Sequence, residues 1–169
     1  LMSHICFDAF APGNHEFDKG DTGLANFLLA MKDTHATSSC SGLPAVLGAN
    51  IVPNANSPIL SSGVPEIEKS RVFTLPDGEK VGVIGINIKG KTMNSSSPDP
   101  GTVLLDEKET AQAEIDALTA TGVNKIILLT HIGYNNDQNW MAELNGVDVV
   151  IGGDSHSLLG DEYTGVFGT

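Results

Sequence analysis

Three apolar segments of this chain each run straight into polar residues of the kind that bind cations, and that repeated pattern constrains the fold more than anything else in the sequence. The first, over 5–11, leads through Pro12-Gly13 to Asn14 and His15. The second, Ile126-Ile127-Leu128-Leu129, ends at Thr130-His131. The third, over 147–151, ends at Gly152-Gly153-Asp154-Ser155-His156. Continuous apolar runs suit strands covered on both faces, and in open α/β sheets sites gather beyond the carboxyl ends of the strands. A fold that aligns these three ends brings an amide, imidazoles and a carboxylate to one place.

The intervening sequence supports an α/β reading with mixed sheets. Leu24, Phe27, Leu28 and Met31 recur at helical spacing, with Asp21 or Thr22 placed to cap that helix. Residues 45–51 read as one buried strand. Segments 71–75 and 80–88, joined by Pro76-Asp77-Gly78, read as a hairpin. Asp106 with Glu109 forms a capping box for a helix that buries Ala111, Ile115 and Leu118 and ends at Gly122. A short helix is expected over 137–144. The order helix, strand, helix, strand in the last third gives parallel layering. Residues 38–42 and 94–101 are rich in Ser, Pro and Gly and read as loops.

Composition narrows the function. The net charge is −12 and Arg71 is the only arginine, so the basic footprint of a nucleic-acid-binding protein is absent. The same charge repels phosphate unless bound cations reverse the local field. No apolar run reaches the ~20 residues of a transmembrane helix. Cys6 and Cys40 match no zinc spacing and define no disulfide framework, which leaves them as small buried apolar side chains. His4 and His35 lie in polar surroundings and read as solvated. Asn94-Ser95-Ser96 matches a glycosylation acceptor, a frequent chance pattern.

Within the first constellation, Gly13 permits a close backbone approach, Asn14 offers a hard neutral oxygen, and Asp18 can orient His15 and favour its protonated form. His131, with Gly133 close behind, reads as a ligand in the company of the other two strand ends. Asp154 and His156 are both ligand types for borderline divalent ions. A Ser–His–Asp nucleophile built from Asp154-Ser155-His156 is rejected, because adjacent residues on an extended chain point to opposite sides and no Gly-x-Ser-x-Gly elbow exists.

GNHEFD at 13–18, LLTHIGY at 128–134 and DVVIGGDSHSLLG at 148–160 together resemble the calcineurin-like metallophosphoesterases, and more narrowly the 5′-nucleotidase family. LGANIVP at 47–53 and VGVIGINIKG at 81–90 extend the resemblance over nearly the whole chain. The resemblance implies a layered αββα sandwich with mixed sheets and a two-metal site acting on nucleotide phosphomonoesters. It assigns Asn14, His131 and Asp154 to one divalent ion and His156 to the other, with zinc, manganese or a similar metal in both. His15 takes the role of stabilising the phosphoryl group or protonating the leaving oxygen, with Asp18 as its partner. Cyclic nucleotides or nucleotide-sugars are alternative substrates for the same site, and a non-catalytic surface binding protein is the alternative from another class. An extracytoplasmic location follows from the resemblance alone; oligomeric state is undetermined by it.

Two departures stand out. The family pattern has Gly-Gly-His-Ser where this chain has Gly153-Asp154-Ser155. The family also has an Asp-x-His strand end and a Gly-Asp before the position of Asn14, and a substrate domain after the position of Thr169. The expectation is therefore a partial catalytic domain, over residues 1–169, incomplete at its N-terminus, inactive alone, and carrying an exposed sheet edge or apolar face.

Overall fold

A computed structural model describes residues 4–158, in four layers: helix, sheet, sheet, helix. The inner layers are a three-stranded parallel sheet of β1 (Ala9–Phe10), β2 (Ala45–Leu47) and β4 (Ile67–Glu68), and a mixed sheet of β5 (Ser70–Thr74), β6 (Lys80–Asn87), β8 (Ile126–His131) and β9 (Val149–Gly152). A small antiparallel pair joins β3 (Ile51–Val52) to β7 (Val103–Leu104). The αββα sandwich implied by the resemblance is the observed architecture.

Strand alternation sorts side chains into three separate apolar layers. On β6 and β8, Ile84, Ile86, Ile126 and Leu128 face outward onto α3 (Glu107–Ala120), where they meet Ala111, Ile115 and Leu118. Val81, Val83, Ile127 and Leu129 face inward and pack with Ala45 and Leu47 of β2. Val46, between those two, points the other way and packs under α1 (Gly20–His35) with Leu24, Leu28 and Met31. Each fully buried Leu or Ile of these layers contributes roughly 1.5–3 kcal/mol. The two sheets are in close contact at Gly85, where a Cβ would stand 2.1 Å from the Leu47 carbonyl oxygen.

The hairpin β5–β6, the parallel set β6–β8–β9, and α3 with its Asp106 cap and Gly122 exit (φ +87) follow the sequence expectations. Asp106 accepts a hydrogen bond from the Glu109 N–H at 2.9 Å. Elsewhere the structure corrects them. Residues 45–51 are not one strand: the chain turns at 48–50, where buried Asn50 pairs with the backbone of Asn87 at the end of β6 through both its amide nitrogen (2.8 Å) and its oxygen (3.0 Å). That side chain imitates a strand partner and sends Ile51 off to pair with Leu104. The helix expected over 137–144 is α4 (Tyr134–Asn139) followed by a 3-10 turn, Met141–Glu143.

Asp21 does not cap α1 from outside; it lies inside the first turn, fully buried. Its carboxylate accepts the Thr102 hydroxyl at 2.6 Å, the Ser57 hydroxyl at 2.5 Å and the Asp99 N–H at 3.1 Å. Three donors offset the cost of burying the charge. Cys6 and Cys40 are not buried apolar side chains either: they form a disulfide, with Cα atoms 5.1 Å apart, that ties the segment entering β1 to the loop after α1. Cys6 is exposed.

On β9, Val149 (46% exposed) and Ile151 (55% exposed) lie in register with Ile127 and Leu129 on the inward face, which the short sheet does not reach. No helix among the described residues is long and apolar enough to cross a membrane.

Candidate metal centre

The carboxyl ends of β1, β8 and β9 come together, and with them three of the expected ligands. Asn14 opens a 3-10 turn, Asn14–Phe17, immediately after Pro12-Gly13, and is buried. His131 is the last residue of β8. Asp154 follows β9 across Gly153, with φ +82, a conformation that costs a side-chain-bearing residue energy and is tolerated where neighbours hold it. Asn14 Oδ1 lies 3.2 Å from His131 Nε2, and Asp154 Oδ1 lies 3.6 Å from the same nitrogen.

The approach is built into the backbone. A Cβ on Gly13 would sit 2.6 Å from His131 Nε2, so only glycine lets the imidazole lie over this loop. The loop itself is fixed from behind. The Asn87 side-chain amide donates to the Pro12 carbonyl at 2.8 Å and its oxygen accepts the Thr92 hydroxyl at 2.7 Å, while the Gly13 N–H donates to Glu16 at 2.6 Å. On the far side, the Gly133 N–H donates to the Gly153 carbonyl at 3.1 Å and the Tyr134 N–H donates to the Ser155 hydroxyl at 3.0 Å. Ser155 is thus engaged with backbone, consistent with rejecting it as a nucleophile.

Electrostatics divide the histidines. Burial lowers the pKa of His131, and the nearby Asp154 charge opposes this, so the ring favours its neutral, ligand-competent form. His15 is exposed, and its Nδ1 lies 2.8 Å from Asp18 Oδ2. That hydrogen bond, then the Asp18 charge, raises its pKa, while Asp18 is held low by His15 and by the Ser96 hydroxyl at 2.9 Å. His15 therefore keeps its proton to higher pH than an isolated imidazole. Burial raises the pKa of Asp137, whose carboxylate accepts the Thr130 hydroxyl at 2.6 Å.

One amide oxygen, one neutral imidazole and one carboxylate suit a borderline divalent cation. Among the described residues no three His, Cys, Asp or Glu side chains gather tightly enough to hold a metal by themselves, so Asn14 is the member that makes this donor set. His156 is not in it. It is exposed, with φ +52, and lines a recess of about 360 Å³ with Tyr134, Asp137 and Asp154. Leu159 and Gly160, the end of the third motif, lie outside the described residues.

The sequence reading missed Lys91. From α2 (Lys89–Ser95), just past the end of β6, its ammonium donates to both oxygens of Asp154, at 2.6 and 2.8 Å. The available signal was a pair of lysines directly after a buried strand in a chain of charge −12. Ser96, which holds Asp18, also went unread.

This layered α/β domain with mixed sheets has the architecture of a calcineurin-like phosphoesterase. No family model matches the chain. Among individual proteins, it is 40% identical over 168 residues to a probable 5′-nucleotidase of Treponema pallidum, covering 99% of this chain and 26% of the relative. It is 40% identical over 162 residues to an NAD 5′-nucleotidase of Haemophilus influenzae, covering 96% of this chain and 24% of the relative. The structure of the Haemophilus influenzae NAD nucleotidase superposes with a TM-score of 0.77 at 38% identity, over 92% of this chain and 28% of that one. A 5′-nucleotidase precursor of Thermus thermophilus superposes with a TM-score of 0.75 at 36% identity, again over 92% and 28%. The chain belongs to the 5′-nucleotidase family of calcineurin-like phosphoesterases, which are metal-dependent. It spans about a quarter of the length of these relatives.

Proposed function

We propose that this chain forms part of the catalytic domain of an enzyme that hydrolyses nucleotide phosphomonoesters with two divalent ions of the zinc or manganese type. The observation that carries this reading is the convergence of Asn14, His131 and Asp154 from three separate strand ends within 3.6 Å of one imidazole nitrogen. Those three residues hold one ion. His156 is assigned to the second; its place beside Asp154 on the same recess supports this. The ions supply positive charge against the phosphoryl oxygens and acidify water, a role the single arginine and net negative charge leave open.

The chain's own residues supply the acid. Asp18 holds His15 at Nδ1, which leaves Nε2 to donate. As water oxygen bonds to phosphorus and the P–O bond to the nucleoside breaks, His15 passes its Nε2 proton to the leaving oxygen, the attacking water gives up one proton to solvent, and the exposed His15 takes a proton back from solvent. The Cys6–Cys40 disulfide supports an oxidising, extracytoplasmic setting.

A second reading, a non-catalytic binding protein, is favoured by one observation: Lys91 already neutralises Asp154. The test is AMP hydrolysis and metal content of the protein carrying this chain, with Asn14→Ala and His131→Ala variants. Loss of bound metal and of about a hundredfold or more in rate is expected from each. Unchanged metal content and rate in both would overturn the proposal, and metal uptake without hydrolysis of any nucleotide would favour the second reading.

A further inference from the structure

The contact between Lys91 and Asp154 uses both carboxylate oxygens, one of which, Oδ1, is also the oxygen that faces His131 Nε2. Asp154 is nearly enclosed, its side chain 8% exposed, whereas that of Lys91 is 50% exposed and hangs on a four-carbon stem. A buried carboxylate without a partner is strongly unfavourable. In the absence of a cation, Lys91 is the charged partner that pairs with the enclosed Asp154 carboxylate. A divalent ion on Oδ1 would share that atom with an ammonium 2.8 Å away, and two positive charges at such spacing repel. The lysine has a way out toward solvent; the aspartate, held by a positive φ and by Gly133 packed against it, does not.

We propose that Lys91 and the divalent cation are alternative partners of Asp154, so that Lys91 acts as a built-in competitor that stabilises the metal-free protein and weakens cation binding. The inference rests on the cation reading of the same site. It gives a physical role to the carboxylate that stands where the family pattern has histidine: an aspartate can be held by an ammonium while it waits for the metal, whereas a neutral imidazole cannot pair with one in this way.

The test uses the protein carrying this chain, stripped with chelator, as wild type, Lys91→Met and Lys91→Gln. Mn²⁺ and Zn²⁺ dissociation constants are measured by calorimetry, and thermal midpoints are measured with and without saturating cation. Both variants should bind about three- to tenfold more tightly, the size expected for losing a half-exposed competing charge. They should melt below wild type when metal-free and level with it when saturated. In an Asp154→Asn background the Lys91→Met change should have no effect on affinity. Wild-type binding with equal or weaker binding by the variants overturns this inference and leaves the metal reading standing. A Lys91→Met effect that persists without the Asp154 charge overturns it as well. No cation uptake by any of the proteins overturns both readings.

Discussion

The two sheets of the sandwich support the candidate site in different ways. His131 ends a six-residue strand paired on both sides, between β6 and β9, with Ile126 and Leu128 sunk into the α3 layer. Asn14 and His15 follow a two-residue strand at the edge of a sheet whose members are two or three residues long. The longer sheet positions its candidate ligand by regular pairing. The shorter one relies on particular contacts: the Asn87 amide on Pro12, the Glu16 carboxylate on Gly13, the disulfide at Cys6. A candidate ligand can thus be placed by three specific tethers instead of a ladder, but the tethers can be cut one at a time.

The hardest test removes the distinction. Gly85→Ala inserts a methyl against the Leu47 carbonyl, where the sheets meet, and should cost about 3 kcal/mol or more in urea unfolding. A loss near zero would mean that the sheets are not in firm contact. Next, replacing both cysteines by serine should cost about 2–4 kcal/mol. Hydrogen exchange should quicken around Ala9–Phe10 and Asn14–Phe17 and stay unchanged in Ile126–His131; equal quickening in both would erase the contrast drawn above. Asn87→Ala removes the donor to Pro12 and leaves the Thr92 hydroxyl with the Ile88 carbonyl as its remaining acceptor, for about 1–3 kcal/mol, and should weaken cation binding with little change in the exchange of β8. The mildest is Asp18→Asn. It removes the carboxylate that raises the His15 pKa, so the His15 titration followed by NMR should move to lower pH, and the alkaline limb of the rate profile should move with it. A titration that stays in place would detach Asp18 from the proposed proton transfer.

What the sequence disclosed follows the same division. The β5–β6 hairpin, α3 with its cap, and β8 are local events: alternation, a Pro-Asp-Gly turn and an Asp106–Glu109 pair lie within a few residues of what they specify. The candidate ligands stand out because each follows directly on an apolar run. Four of the misreadings involve partners far away along the chain. Asn50 breaks the expected strand because it finds Asn87, 37 residues on. Asp21 looks like a cap until Ser57, Asp99 and Thr102 close over it. Cys6 meets Cys40 after 34 residues and Lys91 meets Asp154 after 63. None of these pairings has a periodic signature, since each is a consequence of the fold.

Asp21 has one more implication. The segment that supplies Ser96 to the Asp18 carboxylate is tied down three residues later, at Asp99, and again at Thr102, on the far side of the first turn of α1. The environment of the proposed proton donor is therefore anchored in the protein interior and only displayed at the surface. Anyone seeking to retune that donor by redesigning the visible rim around 94–98 would be pulling on a line whose other end is made fast out of sight.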